Sequence, residues 1–202
     1  MTEKELNPAT VFPVQVTASF KPAATDSIRW DGKPCPCQEP PYAPKWGGGF
    51  RDKRGKYDHA AVDIMAAEGT PILAPCDGEI PESYRMKLDG VNKKHPGSGE
   101  GKKAGHYFIL VSEDGHWAWY GSHMMEPCLF APGDKVKAGD LLGYVGKTGN
   151  AMSANGRGCP HLHLALTALT KEAKRSARKA GVDSNRAGKV DPIPYLKPLE
   201  PK

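Results

Sequence analysis

Two short segments carry the residues best suited to chemistry. His59-Ala-Ala-Val-Asp63 places an imidazole four positions from a carboxylate, and Cys159-Pro-His161-Leu-His163 places two imidazoles two positions apart. Zinc accepts histidine nitrogen and aspartate oxygen, and catalytic zinc sites use three protein ligands while keeping a fourth position open. Together the segments offer three ligands for one zinc ion. They leave one histidine over to act on the water that zinc would activate. That is the outline of a hydrolase.

The elements that position these groups follow from the flanking pattern. Side chains at i, i+2 and i+4 of a strand share a face, and His161-Leu-His-Leu-Ala-Leu166 alternates polar and apolar at its start. Val62-Asp63-Ile64 alternates likewise, and Gly69-Thr-Pro71 closes that segment with turn chemistry. A helix would also align His59 with Asp63, but the Gly and Pro that follow so soon favour a strand. Tyr107–Val111 and Trp117–Tyr120, joined through Glu113-Asp-Gly115, predict a hairpin. His106 and His116 flank it. His95 lies in a polar stretch, Lys93-Lys-His-Pro-Gly97, and is expected to be solvated.

The order of further blocks carries a resemblance. His59 to Asp63, Gly69-Thr-Pro-Ile-Leu-Ala-Pro75, Asp77-Gly-Glu-Ile80, Trp119-Tyr-Gly-Ser-His123, Pro132–Asp140, Leu142–Asn150 and Pro160-His-Leu-His163 resemble the lysostaphin/LytM-type zinc peptidoglycan endopeptidases. The closing Val190-Asp-Pro-Ile-Pro-Tyr-Leu196 looks like the end of such domains. The resemblance implies His59, Asp63 and His163 as ligands of a single Zn2+, with His161 and His123 as the two non-ligand histidines. His161 is the expected base and His123 the expected donor to the developing oxyanion, although the two could exchange roles. Tyr57 is a weak candidate beside the metal, and Asp58 and Asn150 are read mainly as turn formers.

Composition fits this reading. The 202 residues suffice for one domain with a real core, and Gly 23 and Pro 19 favour short strands and turns over long helices. The expected architecture is mainly β: a single compact antiparallel β-sheet domain over 10–199, with a substrate groove, long loops and one or two short helices. Residues 1–9 read as an N-terminal tail. A Pro-rich decoration (21–46), a Gly- and Lys-rich loop insert (81–105), a loop extension (153–158) and a basic helical insert (171–189) depart from the family pattern. Loops beside the groove should alter specificity. The five cysteines form no legible framework; Cys159 is read as core packing rather than as a ligand.

Between Lys171 and Lys189 seven Lys or Arg face two acids, a surplus equal to the whole chain's +5. No aromatics interleave with these charges, so a solvated helix is favoured over nucleic-acid binding. No stretch approaches the ~20 apolar residues of a membrane span, and the first residues lack the apolar core of a secretory signal. The expected activity is hydrolysis of peptidoglycan cross-link peptides, reached by phage-type lysis or delivery through a secretion machine. The bond is D-alanyl to diaminopimelate or one within an interpeptide bridge, the former being favoured. A monomer is expected, with an immunity or inhibitor protein as a further candidate partner. The main rival is a non-catalytic scaffold or activator of cell-wall enzymes; a basic nucleic-acid-binding protein is a distant third.

Overall fold

The computed structural model describes residues 6–15, 50–51, 53–54, 57–66, 68–151, 160–180 and 188–199. The Pro-rich decoration, the 153–158 extension, Gly47–Gly49, Cys35, Cys37 and Cys159 lie outside the described residues.

The fold is mostly antiparallel β. β1 (Lys53–Arg54) pairs β2 (Tyr57–Asp58), and β4 (Pro71–Leu73) pairs β12 (Leu141–Tyr144). The main sheet runs β11 (Lys135–Val136), β5 (Gly78–Glu79), β9 (Gly105–Ser112), β10 (Trp117–Met124), β13 (His161–Ala168) and β14 (Lys189–Val190). β3 (Val62–Met65) pairs the first half of β13, and β8 (Ser98–Gly101) pairs β9. The remaining strands, β6 (Tyr84–Leu88) and β7 (Val91–His95), form a hairpin of their own. Among the described residues, two α-helices come after β13: α1 (Lys171–Lys179), ahead of β14, and α2 (Ile193–Leu196), behind it.

β9 and β10 are the hairpin expected around Asp114-Gly115. Gly115 takes a left-handed φ of 68° and its N–H bonds the Ser112 carbonyl at 2.8 Å, which is the conformation that favours glycine in such a turn. The alternation of β9, β10 and β13 splits the sheet into two faces. Phe108, Leu110, Trp117, Trp119, Leu162, Leu164 and Leu166 enter one buried cluster with Val62 and Ile64. The ring of Phe108 lies across Gly121, where a Cβ would collide with it. The opposite face carries Tyr107, Ile109, Tyr120, Ser122, His161, His163 and Asp63.

Three expectations need correction. Residues 6–9 are not a loose tail: Ala9 is fully buried, Leu6 packs against the core, and Trp119 Nε1 donates to the Pro8 carbonyl at 2.9 Å. A buried indole N–H needs an acceptor, and this segment supplies it. The 81–105 insert is not a loop but a hairpin turning at Asp89-Gly90, followed by β8. Its inner side chains Tyr84, Met86 and Leu88 pack with Tyr107, Ile109 and Tyr120. His95 is consequently buried rather than solvated, because it lies opposite Tyr84 on that inner face.

The basic insert contains the expected helix. Thr170 caps it, accepting from Ala173 N, and Ala173 and Ala177 are its buried stripe. Glu172 in the first turn and Arg178 and Lys179 in the last complement the helix dipole. No helix among the described residues is long and apolar enough to cross a membrane.

Candidate metal centre

Cross-strand register builds the site. In β13 the side chains two apart, His161 and His163, share a face, while Leu162 and Leu164 point into the core. His163 is the direct partner of Asp63 on β3 and of Ser122 on β10. Directly opposite residues on one face bring their Cβ atoms to ~5 Å, so Asp63 and His163 must meet. The Asp63 Oδ1–His163 Nδ1 distance is 3.0 Å. His59 lies just ahead of β3 rather than in it, so strand periodicity does not place it. The chain bends at Ala61 and the Arg51 N–H holds the His59 carbonyl at 2.6 Å. His59 Nε2 then sits 3.3 Å from Asp63 Oδ1 and 3.1 Å from His163 Nδ1.

These three atoms form a triangle with edges of 3.0, 3.1 and 3.3 Å. Tetrahedral zinc with bonds of ~2.0–2.1 Å separates its ligands by about 3.3 Å. The donor set and its spacing therefore fit one zinc ion, and His59 and Asp63 are buried while His163 keeps some exposure. The Asp63 carboxyl is held well below the usual carboxylate range. Burial opposes this, but His161, His163 and His59 around it outweigh the burial. Burial pushes the His163 imidazole down, against the pull of Asp63.

The two other expected histidines are brought to the same place. The His161 Nε2–Asp63 Oδ1 separation is 3.8 Å, and the His123 ring stands edge-on to His161 at 4.8 Å and to His163 at 5.8 Å between centroids. His123 reaches the site through a bulge in the β10–β9 register between Ser122 and Met124, with φ of 68°. A non-glycine residue in that region is strained, and such strain gathers at functional sites. Two bonds hold it there: His123 N–H to the Ala104 carbonyl at 2.9 Å, and Nδ1 to the Thr148 carbonyl at 2.9 Å. Burial, then His161 and His163, push its pKa down to about 3.

Sequence reasoning passed over Thr148 and Tyr120. Thr148 Oγ1 donates to the Met124 carbonyl at 2.7 Å and accepts from His106 N–H at 3.1 Å, which fixes the carbonyl that holds His123. Its loop approaches so closely that a Cβ on Gly105, at φ 62°, would collide with it. No side-chain motif announces an orienting backbone carbonyl, since every residue has one. Tyr120 packs its ring edge-on to His163 at 6.1 Å, and burial drives its phenol up to about 12. It was legible only as part of a strand. Asn150 lies exposed in a 3-10 turn (Gly149–Ala151), and Asp58 is exposed in β2.

A model of peptidase family M23 matches residues 57–176. Glycyl-glycine endopeptidase ALE-1 of Staphylococcus capitis is 31% identical over 141 residues, covering 69% of this chain and 29% of that protein. Lysostaphin of Staphylococcus simulans is 29% identical over 140 residues, covering 69% of this chain and 21% of that protein. The chain thus spans less than a third of the length of these curated relatives. In fold it is similar to the solved structure of LytU, with a TM-score of 0.50 at 21% identity over 74% of this chain and 81% of that one.

Proposed function

The chain belongs to peptidase family M23, and on that premise we propose that it is a zinc-dependent endopeptidase hydrolysing peptide cross-links of bacterial peptidoglycan. The observation that carries the reading is the convergence of His59 Nε2, Asp63 Oδ1 and His163 Nδ1 beside two further imidazoles. Those three groups would hold the ion, which when bound supplies Lewis acidity toward a water and a peptide carbonyl.

The chain's own task is proton handling. A carbonyl only accepts, so the bond to Thr148 puts the hydrogen of neutral His123 on Nδ1 and leaves a lone pair on Nε2. That lone pair, on a ring packed edge-on to His163, is placed to take a proton from the attacking water. His161, beside the Asp63 carboxylate, is placed to donate toward the oxyanion as it develops. This exchanges the two roles favoured from the sequence. The alternative assignment predicts that His161→Ala, not His123→Ala, removes the base limb of the pH–rate profile.

The cleaved bond is a separate question. The relative named glycyl-glycine endopeptidase favours an interpeptide bridge, whereas the sequence reading favours D-alanyl to diaminopimelate; mass spectrometry of muropeptides released from defined sacculi distinguishes them. The site of action is the cell wall. Purified murein sacculi should lose turbidity with the wild type and not with His163→Ala, and elemental analysis should find one zinc per wild-type chain. Equal inactivity of both proteins, with no zinc in the wild type, would instead favour the non-catalytic scaffold.

A further inference from the structure

The hairpin β6–β7 presents two unlike faces. Its inner face is the one buried against Tyr107, Ile109 and Tyr120. Its outer face carries Arg85, Lys87, Asn92 and Lys94, all exposed. Arg85 and Lys94 are direct cross-strand partners, as are Lys87 and Asn92. Like charges placed directly opposite oppose strand pairing, so this arrangement works against the hairpin's own formation.

Among the described residues no carboxylate lies within 4.0 Å of Arg85, Lys87 or Lys94. Three other lysines of the molecule do have a carboxylate partner: Lys135 with Glu79, Lys137 with Asp77, and Lys147 with Glu68. The one acid of the hairpin, Asp89, is turned away, its two oxygens accepting from the backbone N–H groups of Lys102 and Lys103. Lys102 and Lys103 are themselves exposed and extend the basic surface. Next along the chain, Ala104 accepts the His123 N–H, and Tyr120 behind the hairpin touches the His163 ring. The basic face is thus fixed to the same framework as the metal centre.

We infer that the outer face of β6–β7 is a docking surface for the free peptide carboxylates of the polymer whose cross-links the site would cleave. Charge complementarity selects a partner with repeated negative charge, and rigid attachment beside the site favours one that reaches the site too. An insoluble substrate held at this face need not diffuse back after each cleavage. This rests on the peptidoglycan reading, and its test separates the two.

Binding to sacculi is measured by sedimentation in the His163→Ala background, so that no hydrolysis intervenes. The sacculi are first freed of attached anionic polymers by acid extraction. The combined Arg85→Gln, Lys87→Gln and Lys94→Gln change should weaken binding about tenfold at low salt, with the gap closing as salt screens it near ~0.5 M. Sacculi whose carboxylates have been amidated should bind the parent protein as weakly as unmodified sacculi bind the variant. Lys135→Gln with Lys137→Gln, which remove paired lysines, should leave binding unchanged. In the zinc-loaded protein that retains His163, the triple change should leave kcat on a soluble cross-linked muropeptide unaltered, and circular dichroism should match the wild type. Unchanged sacculus binding by the triple variant overturns the inference. So does undiminished retention on amidated sacculi, loss of parent binding after acid extraction, or tighter retention by a DNA duplex of equal charge. A wild type that fails to hydrolyse the muropeptide while binding sacculi through these residues sinks the peptidase reading alone.

Discussion

The two faces of β13 differ by one position in sequence and completely in purpose. Leu162 and Leu164 are fully buried in the core, while His161 and His163 on the same strand meet Asp63 and His123. Stability and chemistry therefore share a backbone but not side chains. The period-2 alternation of a strand makes this division possible. A helix would spread the same residues around its axis.

The strongest way to break the comparison is to show that a change on one face acts as if made on the other. His163→Ala should lower hydrolysis by at least ~10³-fold, the scale of removing a metal's contribution to several kcal/mol of transition-state stabilisation, and should abolish zinc retention while the metal-free protein unfolds at nearly the same denaturant concentration. A large loss of metal-free stability would mean that the chemical face also supports the fold. Leu164→Ala should do the converse, costing about 2–5 kcal/mol in denaturant unfolding with zinc stoichiometry kept in the folded fraction.

Acid provides a subtler cut. In the metal-free protein the folded state refuses protons on His123 that the unfolded chain accepts between pH 6.5 and about 3, and His163 shifts in the same direction. Stability should therefore fall as pH drops through that window, by at most ~1.4 kcal/mol per pH unit for each such group. His123→Asn should flatten the slope in chelator-treated protein; an unchanged slope would assign it elsewhere. The smallest effect is expected from Thr148→Val. It removes the hydroxyl bonds to Met124 and His106 but keeps the carbonyl that holds His123. About 1 kcal/mol of stability should go, with the pH–rate profile unmoved.

The chemical face was the more legible one. Asp63 and His163 are set by residue type and strand spacing, and the core leucines by the same alternation. His59 was identified correctly as to neighbours but not as to cause, since a bend rather than a strand delivers it. The Thr148 carbonyl was beyond reach because it is a backbone group brought in from a distant loop. The β6–β7 hairpin was missed for a different reason. Its Gly and Lys content reads as loop, yet Tyr84-Arg-Met-Lys-Leu88 alternates and is followed by Asp89-Gly90, the same signal that identified the turn at Asp114-Gly115. Lysines on the outer face hid the pattern, because the strand faces solvent where strands usually carry β-branched residues.

His123 holds a left-handed backbone that asparagine or glycine would occupy with less strain. Its imidazole also refuses, in mild acid, the proton it would take in water. A lineage selected only for persistence of the fold, with no wall to digest, should therefore drift at this position before it drifts at Leu164. The same holds in a display library sorted for thermal survival alone: asparagine or glycine at 123 should be enriched while lytic activity is lost. On the proposed mechanism the residue is a marker of ongoing use, kept by the reaction and disfavoured by the backbone that carries it.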